Sequence, residues 1–151
     1  MVAPLIVLGG YLLGSAPFGY WVVRVLRGED VRTKGSGNIG ATNVWRVYGR
    51  WLGVPVILLD VAKGFIPALV GLELSGELTG VLAGAAAMAG HWRPLYLRFT
   101  KGGKTVATAG GVTFALAPLA ALGCVAADRS QDLFIHAERN ILHIHSIRVT
   151  V

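Results

Sequence analysis

MVAPLIVLGGYLLGSAPFGYWVV, residues 1–23, carries no charged side chain. Twenty-three uncharged residues are long enough to cross about 30 Å of hydrocarbon as a helix. A secretory leader would place basic residues ahead of a short apolar core. Here no Lys or Arg precedes Arg24, so the stretch reads as a retained first span. Working outward, a second apolar run covers 51–72, interrupted by Asp60 and Lys63. A third covers only 78–90 and is rich in Ala and Gly, so it is expected to recruit Gly76 and Glu77 or His91 at its ends. A fourth, 105–127, is again free of charge.

The whole composition agrees. Of 151 residues, 54% are hydrophobic and 15% charged, with 21 glycines and a mean hydropathy of +0.60. A soluble domain carries roughly 25% charged residues, so too few are present to coat a water-facing surface. Disordered chains are charge-rich and apolar-poor, and a disulfide scaffold needs more than the lone Cys124. The fold class is therefore all-α, a polytopic transmembrane helical bundle of about four spans. Gly80, Gly84, Ala85, Ala86, Ala87 and Gly90 supply the small residues that let helices approach closely in lipid.

The connections alternate in charge. The first, 24–50, holds six bases (Arg24, Arg27, Arg32, Lys34, Arg46, Arg50) and two acids. The second, 73–77, has two acids, and the third, 91–104, has four bases and no acid. Basic loops remain cytoplasmic, which places the N-terminus outside. The net charge of +6 is thus a membrane-face feature and no nucleic-acid signal.

Both basic connections carry chemistry. Thr33-Lys34-Gly35-Ser36-Gly37-Asn38-Ile39-Gly40-Ala41-Thr42-Asn43-Val44-Trp45-Arg46 has the glycine spacing of a dinucleotide fingerprint, but the polar residues 27–34 before it make no buried strand. What remains is an anion site. Glycines let backbone N–H groups converge, Ser36, Asn38, Thr42 and Asn43 add donors, and Arg46 grips a phosphate with two parallel bonds. Gly103-Lys104-Thr105 imitates the end of a P-loop, yet Arg98 stands where that motif needs glycine. Gly102, Gly103 and Lys104 at the start of a span still form an anion seat, since free backbone N–H groups and the positive helix end point together. His91 is the histidine close to both basic loops, fit for capping or for acid–base work. Asp60 and Lys63, three apart within a span, are expected to pair in the interior.

Gly14-Ser15-Ala16-Pro17-Phe18-Gly19, the run 35–46, Asp60-Val61-Ala62-Lys63-Gly64, Gly90-His91 and 102–108 together resemble the bacterial acyl-phosphate:glycerol-3-phosphate acyltransferase family. The resemblance covers roughly residues 3–120. It implies a multi-pass inner-membrane enzyme that moves a fatty acyl group from acyl phosphate to the 1-hydroxyl of sn-glycerol 3-phosphate. The products are lysophosphatidic acid and phosphate, and no cofactor or metal takes part. By the same resemblance Ser36, Gly37, Asn38, Thr42, Asn43 and Arg46 form a phosphate-binding loop. Gly102, Gly103 and Lys104 form a glycine-rich lysine loop, Asp60 and Lys63 an intramembrane pair, and Ser15 and Pro17 shape the first span. Lys104, Arg46 and His91 are the candidate catalytic residues, with a substrate phosphate oxygen as the other candidate base. Thr105 stands where the family commonly has glycine. A membrane phosphate-ester binder or transporter, or an inactive fragment of the enzyme, is the alternative reading.

The family usually runs to about 200 residues, with a further cytoplasmic segment bearing a histidine. Here residues 1–127 read as the acyltransferase domain, left incomplete, and 128–151 as a polar tail. The tail offers His136 and Arg139-Asn140-Ile141 as a faint echo of that segment. Truncation or frame-shift is the expectation, the other being a partner or second copy that completes the pocket. His136, His143 and His145 lack the acidic or cysteine partners of a metal site.

Overall fold

The computed structural model describes residues 2–118. Six helices make up this part: α1 (Val2–Gly14), α2 (Phe18–Arg27), α3 (Ala41–Tyr48), α4 (Arg50–Ser75), α5 (Glu77–Trp92) and α6 (Val106–Leu116). Short 3-10 turns at Val31–Thr33 and Leu95–Leu97 punctuate the two basic loops, and no strand occurs among the described residues. The 26 residues of α4 span about 39 Å at 1.5 Å per residue. This helix is the hub, packing on α1, α2, α3, α5 and α6.

The packing is that of a membrane bundle. Large apolar side chains face outward, among them Leu5 (69% exposed), Leu58 (63%) and Leu78 (72%). The buried positions of α5 are small or polar: Thr79, Gly80, Ala83, Gly84, Ala87, Gly90 and His91. A water-soluble domain does not leave so much aliphatic surface uncovered, whereas in lipid small residues make the interface and large ones meet the acyl chains. A backbone-close crossing joins α4 to α6. A Cβ on Gly64 would strike the carbonyl oxygen of Thr108, and one on Gly111 would strike that of Val61.

A second, conventional core lies at the loop end of the bundle. Val23, Val31, Ile39, Ala41, Val44, Leu52 and Val56 bury one another between α2, the first basic loop, α3 and the start of α4. That loop is consequently a folded element and no mere tether. Asp30 caps its 3-10 turn, accepting from the Arg32 backbone N–H at 2.9 Å and pairing with the Arg32 guanidinium. The guanidinium hydrogen bond holds the Asp30 carboxyl below its usual range.

One expectation needs correction. The charge-free residues 1–23 are not one helix: α1 ends at Gly14 and α2 begins at Phe18. Pro17 has no N–H to donate and keeps Ala16 out of helical geometry. The break is held by Ser15 Oγ donating to the Tyr11 carbonyl (2.8 Å) and by Ala16 N–H donating to Leu13 (3.1 Å). The fourth run, 105–127, is described only in part: it is helical from Val106 to Leu116 and interrupted at Ala117, the residue before Pro118. Its continuation, Cys124, the boundary expected after Ala127 and the histidines of the tail lie outside the described residues. The short third run behaves as expected, with α5 taking in Glu77 at one end and His91 and Trp92 at the other.

Neighbouring glycines on α6 test this packing. A methyl on Gly110 meets nothing within 4 Å, whereas one on Gly111 meets the α4 backbone at Val61 and Phe65. Gly110→Ala is expected to raise stability by about 0.5–1 kcal/mol through helix propensity. Gly111→Ala is expected to lower it by about 1–3 kcal/mol through overpacking. Thermal unfolding of both variants in detergent checks the pair.

Candidate active site

The two basic loops meet. Gly40 lies against Gly103, and the surrounding residues enclose a pocket of about 470 Å³. Ser36, Asn38, Thr42, Asn43 and Arg46 reach it from the first loop and α3, Asp60 from α4, His91 from α5, and Lys104 from the second loop. Thr42 and Arg46 are one helical turn apart on α3 and both are exposed to it. No side chain caps α3 or α6, and the first turns of both line the pocket through Ala41 and Thr42, and through Val106 and Ala107. Two positive helix ends and two cations therefore converge on one space, an arrangement suited to a dianion. Ile57, Val61, Val106 and Phe114 give the same pocket an apolar wall.

The individual roles are more divided than sequence spacing suggests. Asn43, 2% exposed, does not offer its amide to the pocket. Its Nδ2 donates to the carbonyls of Asn38 (2.9 Å) and Lys34 (3.1 Å), and its Oδ1 accepts from the Ser36 N–H (2.9 Å). Asn43 is thus the peg on which the loop is hung. Asn38 Oδ1 accepts from the Gly40 N–H at 2.7 Å, closing a turn. Gly37 stands at φ +69° with its N–H donated to Lys34, so it shapes the loop and lines neither cavity of the site. Ser36, Thr42 and Arg46 remain as the side chains of this loop facing the pocket with no hydrogen bond of their own. Lys34 is drawn away toward Glu29 (3.7 Å).

The glycine pair of the second loop also works differently from its expected role. Gly102 N–H donates to the Trp92 carbonyl and Gly103 N–H to the His91 carbonyl, each at 3.0 Å. These two groups satisfy the C-terminal carbonyls of α5 and are not free to seat an anion. Both positions exclude a side chain. A Cβ on Gly102 would meet the His91 carbonyl, and one on Gly103 would meet the His91 ring at Nε2. The anion-facing parts of this loop are the Lys104 ammonium and the first turn of α6. Behind it a second cavity of about 660 Å³ is lined by Trp92, Lys101, Gly102 and Gly103, and shares Ser36, Asn38, Lys104 and Thr105 with the first.

Asp60 and Lys63 do pair, at 2.9 Å, and both are almost fully buried. Lys63 does not line the pocket. Its Nζ donates to the Ala16 carbonyl at 2.8 Å, inside the α1–α2 break, and sits 5.4 Å from the Phe18 ring centre. Sequence spacing missed that the Asp60 oxygen held by Lys63 also faces His91 Nδ1, at 3.7 Å. Asp60 thereby joins α4, α5 and the α1–α2 corner. The apolar wall residues were missed as well, since nothing in an apolar run distinguishes a pocket-facing Phe114 from a lipid-facing one.

A sequence model described as glycerol-3-phosphate acyltransferase matches residues 4–128. The chain is similar to the glycerol-3-phosphate acyltransferase of Myxococcus xanthus, 53% identical over 119 residues, which is 78% of this chain and 62% of that protein. It is similar to that of Aquifex aeolicus, 50% identical over 124 residues, covering 81% and 64%. Among solved structures it is similar to the glycerol 3-phosphate form of PlsY (YgiH), an integral membrane glycerol 3-phosphate acyltransferase. The TM-score is 0.80 with 44% identity, over 89% of this chain and 67% of that one. The lysophosphatidic acid form of that protein gives 0.73 and 44%, over 81% and 60%. The chain spans about three fifths of the length of the curated relatives it matches.

Two residues of the site generate stability predictions. Asn43→Asp turns a carboxylate oxygen on two carbonyls that now accept from an amide, and is expected to cost at least about 2 kcal/mol. Thr105 sits at φ +61°, a left-handed conformation that a β-branched residue resists. Thr105→Gly is therefore expected to raise stability by about 1 kcal/mol. Thermal unfolding in detergent, with the exposed Thr42→Ala as a neutral control, checks both.

Proposed function

The chain belongs to the glycerol-3-phosphate acyltransferase family, and we propose on that footing that it transfers a fatty acyl group from acyl phosphate to sn-glycerol 3-phosphate. One observation carries the reading. A single pocket joins cations and two uncapped helix N-termini to an apolar wall of Ile57, Val61 and Phe114. A phosphate attached directly to an acyl chain has that same division of polarity. A hydrophilic ester in transit has no use for the apolar side.

The chemistry is within reach of these residues. The 1-hydroxyl oxygen bonds to the acyl carbonyl carbon, the bond from that carbon to the bridging phosphate oxygen breaks, and phosphate departs. The hydroxyl proton passes to a phosphate oxygen of the substrates. Phosphate is already a good leaving group, so rate comes from holding two anions together and offsetting their repulsion. Arg46 and Lys104 supply that positive charge, and Ser36 and Thr42 add hydroxyl donors beside it. His91 lines the pocket, but its two ring nitrogens face Asp60 and Gly103. Its position suits alignment of the lysine loop better than proton transfer.

The same geometry supports a reading of location. Both basic loops line one pocket and so share one side of the membrane. The positive-inside rule supports a cytoplasmic side for the pocket and an outside N-terminus, and the family resemblance supports a bacterial inner membrane, with about four spans in this chain.

The test is transfer from palmitoyl phosphate to labelled glycerol 3-phosphate by the chain in micelles. Lys104→Ala and Arg46→Ala each remove a charge-assisted phosphate contact worth about 1.5–3 kcal/mol. Each is expected to lower kcat/KM roughly 10- to 150-fold. Glycerol 3-phosphate binding with no acyl transfer would favour a phosphate-ester binder, and unchanged kinetics in both variants would sink the pocket.

A further inference from the structure

We propose that the outer surface where α2 meets the second basic loop is a docking site for acidic phospholipid of the surrounding leaflet. Arg24 and Arg98 are its cations, and Trp21, Tyr96 and Phe99 its apolar contacts. None of these five residues lines either cavity of the candidate active site, and the proposal stands apart from acyl transfer.

The patch joins two distant segments of the chain. Trp21 of α2 and Tyr96 of the second loop pack with ring centres 5.8 Å apart, and Phe18 meets Trp21 edge-on at 5.9 Å. α1 and α2 together run from Val2 to Arg27, long and apolar enough to cross a bilayer. Arg24 and Arg27 stand in the last turn of that run. Trp21 therefore lies just inside the basic end of a span, the depth at which Trp and Tyr concentrate. Tyr96, packed on it, brings the second loop to the same depth.

The loop is shaped to leave its aromatic side chains outside the protein. Arg98 and Phe99 both hold left-handed backbone, at φ +53° and +59°. That conformation is costly for residues with side chains and persists only where neighbours enforce it. Here the N–H groups of Arg98, Phe99 and Thr100 donate to the carbonyls of Leu95 (2.9 Å), Pro94 (3.0 Å) and Leu97 (3.2 Å). The backbone is satisfied within the turn, while Tyr96 is 52% exposed and Phe99 55%. Val25, one helical turn beyond Trp21, is exposed as well. A fixed apolar patch of this kind is a liability against water and a contact surface against lipid.

Charge selects the kind of lipid. The second connection, 91–104, has four bases and no acid. Among the described residues no carboxylate lies within 4.0 Å of Arg24 or Arg98, and both side chains are exposed. Arg24 spends one N–H on the Gly28 carbonyl at 3.1 Å and keeps the others. An arginine lays its stem along apolar surface and carries its guanidinium out to a phosphate. A zwitterionic headgroup brings a compensating ammonium to that meeting, whereas an acidic one keeps its net negative charge. A lipid held there braces from outside the loop that leads to Lys104.

Two measurements in phosphatidylcholine nanodiscs test this. In the first, Trp45→Phe, Trp51→Phe and Trp92→Phe leave Trp21 as the one tryptophan of the chain. Its fluorescence is followed as dibrominated phosphatidylglycerol or dibrominated phosphatidylcholine replaces the host lipid. The phosphatidylglycerol is expected to reach half-quenching at a mole fraction at least threefold lower. Arg24→Gln with Arg98→Gln is expected to abolish that preference, and Arg24→Lys with Arg98→Lys to keep it within twofold. Arg50→Gln, which removes the guanidinium over Trp51, is expected to leave it unchanged. The second measurement needs no reporter: unlabelled phosphatidylglycerol is expected to raise the Tm of the unmodified chain, and to raise that of the double glutamine variant by less than half as much. Equal quenching by the two lipids, a preference that survives in the double glutamine variant, or one lost equally in Arg50→Gln, overturns the proposal. So does a Tm rise that the double glutamine variant shows undiminished.

Discussion

One buried ammonium ties the described helices together. Lys63 is 1% exposed and would be prohibitively placed in hydrocarbon without its two partners, the Asp60 carboxylate and the Ala16 carbonyl. The first partner lies on its own helix, and the second is a carbonyl at the Pro17 break that also accepts from the Phe18 N–H at 3.1 Å. Because the break exposes a carbonyl and the ammonium needs one, each makes the other tolerable. From that corner α2 sets out toward the first basic loop, and Asp60 turns its shared oxygen to His91. The second loop then rests on His91, through its carbonyl and against its ring. A chain of contacts thus runs from a proline in the first apolar stretch to the mount of Lys104.

The site is accordingly assembled from constraints that are mostly not about substrate. Asn43 spends its whole amide on the loop itself and Asn38 its amide oxygen, and Gly102 and Gly103 spend their N–H groups on closing α5. What is left facing the pocket is a short set of hydroxyls and cations beside Asn38, Asp60 and His91, with two helix ends behind them. A positioned group gains its effect by being held still before the ligand arrives. Ridged aliphatic packing under the first loop and hydrogen-bonded glycines under the second provide that stillness in two different ways.

Much of this was readable from residue types. Composition alone fixed the environment, since a chain 54% hydrophobic and 15% charged needs lipid around it. The Asp60–Lys63 pair was legible because both residues lie on one α-helix, where a three-residue spacing brings side chains together. The meeting of the two basic loops was legible only as likeness of charge. Hydropathy treated residues 1–23 as uniform because proline at 17 hardly alters an average, although it decides where the helix stops. The fate of individual donors was not legible at all. Whether an Asn or a Gly N–H faces a ligand or its own loop depends on which carbonyls the fold leaves vacant, and those come from distant helices. The Asp60–His91 approach is of the same kind, set by the register of α4 against α5.

The first helix is usually thought of as what keeps such a chain in the bilayer. Yet the Tyr11 hydroxyl donates to the Arg93 carbonyl at 3.0 Å, at the point where α5 gives way to the second basic loop. α1 is therefore also a strut. An unrelated hydrophobic helix grafted in its place would preserve anchorage while removing the prop beneath Arg93, so retention in the membrane and the shape of the lysine loop are separable properties of one segment.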